Sequence, residues 1–249
     1  MQGAQQQINY ESKQVHGASH LVPENCRVCD SRGGCLSELL CSNKSLHRQL
    51  QDAKRIYQKG DLVFREGDLS TAFYVIRSGS VKTYFVSPDG EEQVLGFYLP
   101  GDIFGLDMGA RHSQASTAIT LETTSLCHFP MASLSQFTNG SNLLALTSEQ
   151  MLRDHRLVLM LARKDADGRM ASFLMDLAQR YHARGYSWKS FHLTMSRQDI
   201  GAYLGLAIET VSRTLTRFQE AGLLEVNRRE IIMLKADEIA RLAGVKALA

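Results

Sequence analysis

The sequence predicts an α+β chain made of an N-terminal jelly-roll β-barrel, a long helix and a C-terminal winged helix-turn-helix. Three observations carry that expectation. Short β-rich runs alternate with turn glycines from about Ile56 onward. Residues 142–169 then show helical periodicity with few breakers. Finally, two short amphipathic segments meet at Gly205 and lead into an alternating hairpin pattern. Short strands at turn spacing indicate a barrel or sandwich, and the last pattern suits a helix-turn-helix with a wing.

Composition sets the outer bounds. At 249 residues, with 44% apolar and 22% charged side chains, the chain can fill one large core or two ordinary ones. A net charge of +2 does not by itself point to nucleic acid. The charge is uneven, however: residues 169–249 hold 12 Lys/Arg against 8 Asp/Glu, a mildly basic module. No run approaches the roughly 18 apolar residues of a membrane helix. Residues 1–14 are polar and Gln-rich, without the apolar stretch of a signal peptide. A cytoplasmic setting with reduced thiols is therefore expected, and no membrane partner.

Residues 1–20 read as a disordered tail, and residues 21–41 as a cysteine segment too small to fold without a metal. Four of the five cysteines lie there: Cys26, Cys29, Cys35 and Cys41. A Cys-x-x-Cys pair with a third thiol six residues on, across Gly33-Gly34, can wrap one inorganic centre. Cys41 would close a local four-thiolate site of the structural zinc kind. Cys127 would instead close a site between this segment and the barrel. The residues alone leave both open.

The barrel is expected over residues 42–140. Turn signals stand at Lys59-Gly60-Asp61, Glu66-Gly67-Asp68, Ser78-Gly79-Ser80, Pro88-Asp89-Gly90 and Pro100-Gly101-Asp102. Between them lie Leu62-Val63-Phe64, Phe73-Tyr74-Val75-Ile76, residues 81–86 and residues 94–98, all β-rich. Residues 116–129 supply further strands, with Cys127 on the last. His112 and His128 are scattered, not clustered as a cupin-type metalloenzyme requires, so no catalytic residues are assigned.

Residues 141–168 are expected to form a dimerisation helix. Its seam, Met151, Asp154, Val158 and Leu161, is spaced three, four and three. That is heptad spacing with one acid where an apolar residue belongs. Residues 169–249 form the winged module. Ser196-Arg197-Gln198-Asp199 opens a helix whose apolar positions are Ile200 and Leu204, Gly205 ends it, and Ala207-Ile208-Glu209-Thr210 opens a second. This second helix buries Val211, Leu215 and Phe218 and turns Glu209, Ser212, Arg213, Thr216 and Arg217 outward. Arg213 can donate twice to a guanine, Glu209 can accept from a cytosine amino group, and Ser212 can do either. Arg197, Arg217, Arg228 and Arg229 suit phosphates, which position without specifying. Thr210 completes the expected DNA-binding set.

At this point the order of parts resembles the cyclic-AMP receptor and fumarate–nitrate reduction regulator (CRP/FNR) superfamily, over roughly residues 21–245. The strongest motifs are Leu193-Thr194-Met195-Ser196-Arg197 with Asp199-Ile200-Gly201, Tyr203-Leu204-Gly205-Leu206, and Glu209-Thr210-Val211-Ser212-Arg213. Ile76-Arg77-Ser78-Gly79 and Asp89-Gly90-Glu91-Glu92-Gln93 match in the barrel. Within the superfamily the chain looks like the oxygen-sensing FNR branch. That resemblance implies a cyclic-nucleotide-binding-like barrel and a [4Fe-4S] cluster on Cys26, Cys29, Cys35 and Cys127, with Cys41 outside the pattern. It also implies a homodimer opposed by Asp154, DNA half-sites of the TTGAT type read by Glu209, Ser212 and Arg213, and an RNA-polymerase contact at residues 87–92. A cyclic nucleotide is not expected, because Phe104-Gly105-Leu106-Asp107 and Gln114-Ala115-Ser116-Thr117 lack the phosphate-binding arginine. The alternative is a superfamily member sensing another small molecule, with structural zinc in the cysteine segment.

Overall fold

In the computed structural model, residues 54–107, 112–133, 140–163 and 165–246 are described. The expected tail and cysteine segment, with Cys26, Cys29, Cys35 and Cys41, lie outside the described residues. The barrel consists of β1 (Lys54–Tyr57), β2 (Leu62–Phe64), β3 (Ala72–Ser78), β4 (Val81–Val86), β5 (Glu92–Tyr98), β6 (Ile103–Phe104), β7 (Thr117–Thr120) and β8 (Thr124–Pro130). They form two four-stranded sheets, ordered β1-β8-β3-β6 and β2-β7-β4-β5. Inward residues from both sheets, including Phe64, Tyr74, Ile76, Val81, Phe104 and Leu126, fill the space between them. Each such side chain contributes roughly 1.5–3 kcal/mol by leaving water.

The helix expected as one piece over residues 142–169 is two. Helix α1 (Gly140–Leu161) stops, and α2 (Ala166–Ala183) begins after a short connection. Asp165 is the cause: its backbone is extended and its side chain accepts from the Gly168 N–H at 2.5 Å, capping the new helix. Helix α1 lays Met160 against the core but leaves Met151, Leu152, Val158 and Leu159 exposed at 54–67%.

Beyond α2 come β9 (Ser190–His192), α3 (Arg197–Leu204), α4 (Ile208–Glu220), β10 (Leu224–Asn227), β11 (Glu230–Met233) and α5 (Ala236–Ala243). The hairpin β10-β11 gains β9 as a third strand, giving the order β10-β11-β9. One apolar core runs from Val94, Phe97 and Leu99 near the end of the barrel into Phe173 of α2 and Tyr203 of α3. The Phe97 ring lies 5.0 Å from that of Tyr203 and 6.0 Å from that of Phe173. The barrel and the helix-turn-helix therefore share a core.

Candidate DNA interface and cysteine site

The helix-turn-helix is built by local chemistry. Ser196 and Asp199 form a reciprocal capping box: the Ser196 hydroxyl accepts from the Asp199 N–H at 3.0 Å, and Asp199 accepts from the Ser196 N–H at 2.8 Å. Gly205 ends α3 with φ +62°, a left-handed conformation that favours glycine. The turn is tight enough that a Cβ on Gly201 would meet the Leu206 carbonyl oxygen at 2.5 Å. Helix α4 then buries Val211, Thr214, Leu215 and Phe218.

Its opposite face carries Glu209, Ser212, Arg213, Thr216 and Arg217, all exposed, with Thr210 half-buried at the edge. The Ser212 hydroxyl donates to the Ile208 carbonyl at 3.1 Å, so in this rotamer it meets a partner as an acceptor. Ala207 supplies no side-chain cap to α4, which leaves the first-turn N–H groups available to a phosphate. Arg217 is already engaged, donating to Asp167 and to Thr214. Arg197 is half-buried, and its Nη1 finds no hydrogen-bond partner among the described residues. Arg228 sits exposed at the wing turn with φ +59°, and Arg229 donates to the Thr194 carbonyl.

The module is tied to the barrel by polar contacts that periodicity could not reveal. Lys82 of β4 donates to Asp199 at 2.7 Å and to Glu92 at 2.8 Å. The hydroxyls of Ser80 and Thr194 lie 2.8 Å apart, and the Gln93 amide donates to the Ala202 carbonyl. Asp102 is buried beneath Arg153 of α1 and Arg180 and Arg184 beyond it, at 2.5–2.8 Å. Burial alone would raise its pKa, but the three guanidiniums outweigh it and hold the carboxyl at about 2.

On α1, Met151, Asp154 and Val158 are exposed while Leu161 is half-buried. Asp154 accepts from the Gln150 amide at 3.3 Å. Cys127 lies half-buried in β8, between Lys54 of β1 and Val75 of β3. Its neighbour His128 bonds the Tyr57 hydroxyl at 3.1 Å, and burial followed by the Arg55 charge lowers its pKa to about 4. Among the described residues no three Cys, His, Asp or Glu side chains gather as a metal site. A centre on Cys127 would therefore draw further ligands from elsewhere, and the other cysteines all lie at 26–41. In the barrel, Asp107 accepts from the Ser116 hydroxyl at 2.6 Å.

Comparison with known proteins places this architecture. The family profile described as the cyclic nucleotide-binding domain matches residues 54–141, and the Crp-like helix-turn-helix domain matches residues 168–242. The chain is 38% identical to Electron transport regulator A of Shewanella oneidensis, covering 94% of this chain and 96% of that protein. The chain belongs to the CRP/FNR family of transcriptional regulators. Another relative is the fumarate and nitrate reduction regulatory protein of Salmonella typhimurium, 38% identical over 78% of this chain and 79% of that one. The solved structure of FixK2 from Bradyrhizobium japonicum superposes with a TM-score of 0.69 at 30% identity, covering 79% of this chain and 98% of that one. As a CRP/FNR member the chain is a DNA-binding regulator, not an enzyme. No helix among the described residues is long and apolar enough to cross a membrane.

Proposed function

We propose that this CRP/FNR regulator is oxygen-responsive and cytoplasmic, with a [4Fe-4S] cluster on Cys26, Cys29, Cys35 and Cys127 that promotes dimerisation and DNA binding without oxygen. The observation that carries this reading is the pairing of Cys127 with Lys54, the first described residue beyond the cysteine segment. Strand β1 thereby begins beside the fourth thiol. Relatives named for electron transport and for fumarate and nitrate reduction support the same reading. The cluster, when bound, supplies an oxygen-labile cross-link between segment and barrel.

The chain's own residues do the rest. Met151, Val158 and Leu161 would pair across a homodimer, while Asp154 opposes its own copy, since like charges in a drying interface repel. Dimerisation then depends on a small added stabilisation, a population shift rather than a new fold. The dimer presents two α4 helices to half-sites about 34–36 Å apart. There Glu209, Ser212 and Arg213 read bases of TTGAT-type sequences, with Thr210 beside them. Arg197 and Arg217 take phosphates. The exposed turn at residues 87–92 offers a contact for RNA polymerase. Cyclic nucleotide is not part of this reading, because Gln114-Ala115-Ser116-Thr117 lacks the arginine that would pair with its phosphate.

The test is anaerobic purification with assay of iron, sulfide and binding to a TTGAT duplex. Brown protein whose DNA binding is lost in Cys127→Ser and kept in Cys41→Ser supports the proposal. Colourless protein holding zinc, with Cys41 essential, replaces it with a structural-zinc regulator responding to another small molecule.

A further inference from the structure

The end of α1, the middle of α2 and the residues after α5 line a half-open cavity of about 500 Å³. Small-molecule sites occur at this size, roughly 300–1,000 Å³. Its apolar lining combines the buried Met160 and Met175 with the exposed Leu159 and Val245. Methionines adapt to irregular apolar shapes. Arg156, Arg163 and Lys246 line the same space. One carboxylate, Asp176, stands with them, 3.6 Å from Arg156 and 3.5 Å from Arg180. Shared between two guanidiniums, it leaves the cavity with cations in excess.

Two further features give the cavity a role. Arg163 reaches from the α1–α2 connection to the end of α5: a Cβ on Gly244 would lie 2.6 Å from its Nη2. Leu159 follows Val158 by one residue, about 100° around the helix, so pairing through Met151 and Val158 leaves this side open. The cavity thus lies off the proposed seam and beside the connection that joins α1 to the DNA-binding module.

We propose that this cavity binds an amphipathic carboxylate. The chain or ring of the ligand lies on Leu159, Met160 and Met175, and its carboxylate is held by Arg163 and Lys246. Charge-assisted bonds to two cations distinguish it from a neutral molecule of equal length. Apolar burial distinguishes it from a short acid. The site requires no cluster and stands apart from the cysteine reading. A ligand that touches α1 and the residues after α5 together would bias how the DNA-binding module sits on α1.

The experiment is titration calorimetry of decanoate, with decanol as the neutral control, into the full chain in air. One saturable site per chain is expected, with decanoate at least about tenfold tighter than decanol. Arg163→Gln and Lys246→Gln should each weaken decanoate about tenfold while thermal unfolding confirms folded protein. If Arg163→Gln does not fold, the exposed Lys246 carries the test. No saturable binding, equal affinity for decanol, or unchanged affinity in the folded variants overturns the proposal.

Discussion

Lys82 of the barrel and Asp199 of the helix-turn-helix are joined by a 2.7 Å ion pair in which both side chains are largely removed from water. Asp199 also caps α3 through Ser196, so one carboxylate fixes a helix start and docks it on β4. Lys82 would lose its charge by burial, but bonds to Asp199 and Glu92 keep its pKa raised. Lys82→Met should remove about 1.5–3 kcal/mol, the worth of a charged hydrogen bond. Urea unfolding measures this, and an unchanged midpoint would show that the pair contributes nothing.

Asp102 sets an acid limit. Its native pKa of about 2 lies below the ordinary 3.8, so its contribution is full above pH 4 and lost as pH falls toward 2. That contribution is on the order of 2 kcal/mol. Asp102→Asn should lower stability at neutral pH and flatten the acid limb between those values. Thermal melting across pH 2–7 checks the slope.

Gly201→Ala should disrupt the turn, because its Cβ would press a backbone carbonyl that cannot swing aside. A cost of about 1–3 kcal/mol is expected from overpacking. A lowered melting temperature is the readout; a neutral Gly201→Ala would mean the turn can widen freely.

Arg213 and Arg217 should separate specificity from affinity. Arg213→Ala is expected to cost about 1–3 kcal/mol and relax preference at one base pair. Arg217→Ala should weaken binding to all sequences and lower the salt slope by about 1. Competition with base-substituted duplexes at several salt concentrations distinguishes the two.

Asp154→Ala should dimerise in air without any cluster. Sedimentation of the aerobic protein decides it, since a monomeric variant would remove Asp154 from the account of control.

The helix-turn-helix was legible because its signals are local: Ser196 and Asp199 stand three apart, Gly205 marks the turn, and α4 repeats its apolar positions every three or four residues. The break after Leu161 was harder to see, because Arg163-Lys164-Asp165 also reads as a solvated helix surface. Asp165 carried the cue as a capping residue, but periodicity on both sides masked it. Strand β9 has only three residues and pairs with residues about 40 positions away, so no local pattern announces it. Asp102 likewise draws its arginines from positions 153, 180 and 184, a cluster that exists only after folding. Cys127 gained its assigned role from resemblance alone; its alignment with Lys54 emerged only in the fold.

The core that runs from Phe97 into Phe173 and Tyr203 has a thermodynamic consequence. Two domains linked only by a tether melt separately, and a ligand on one leaves the other's transition unmoved. Here unfolding either part strips the other of buried aromatic surface, so the two should melt in one cooperative step. Operator DNA, binding only the native state, would then protect the distant barrel against heat as well.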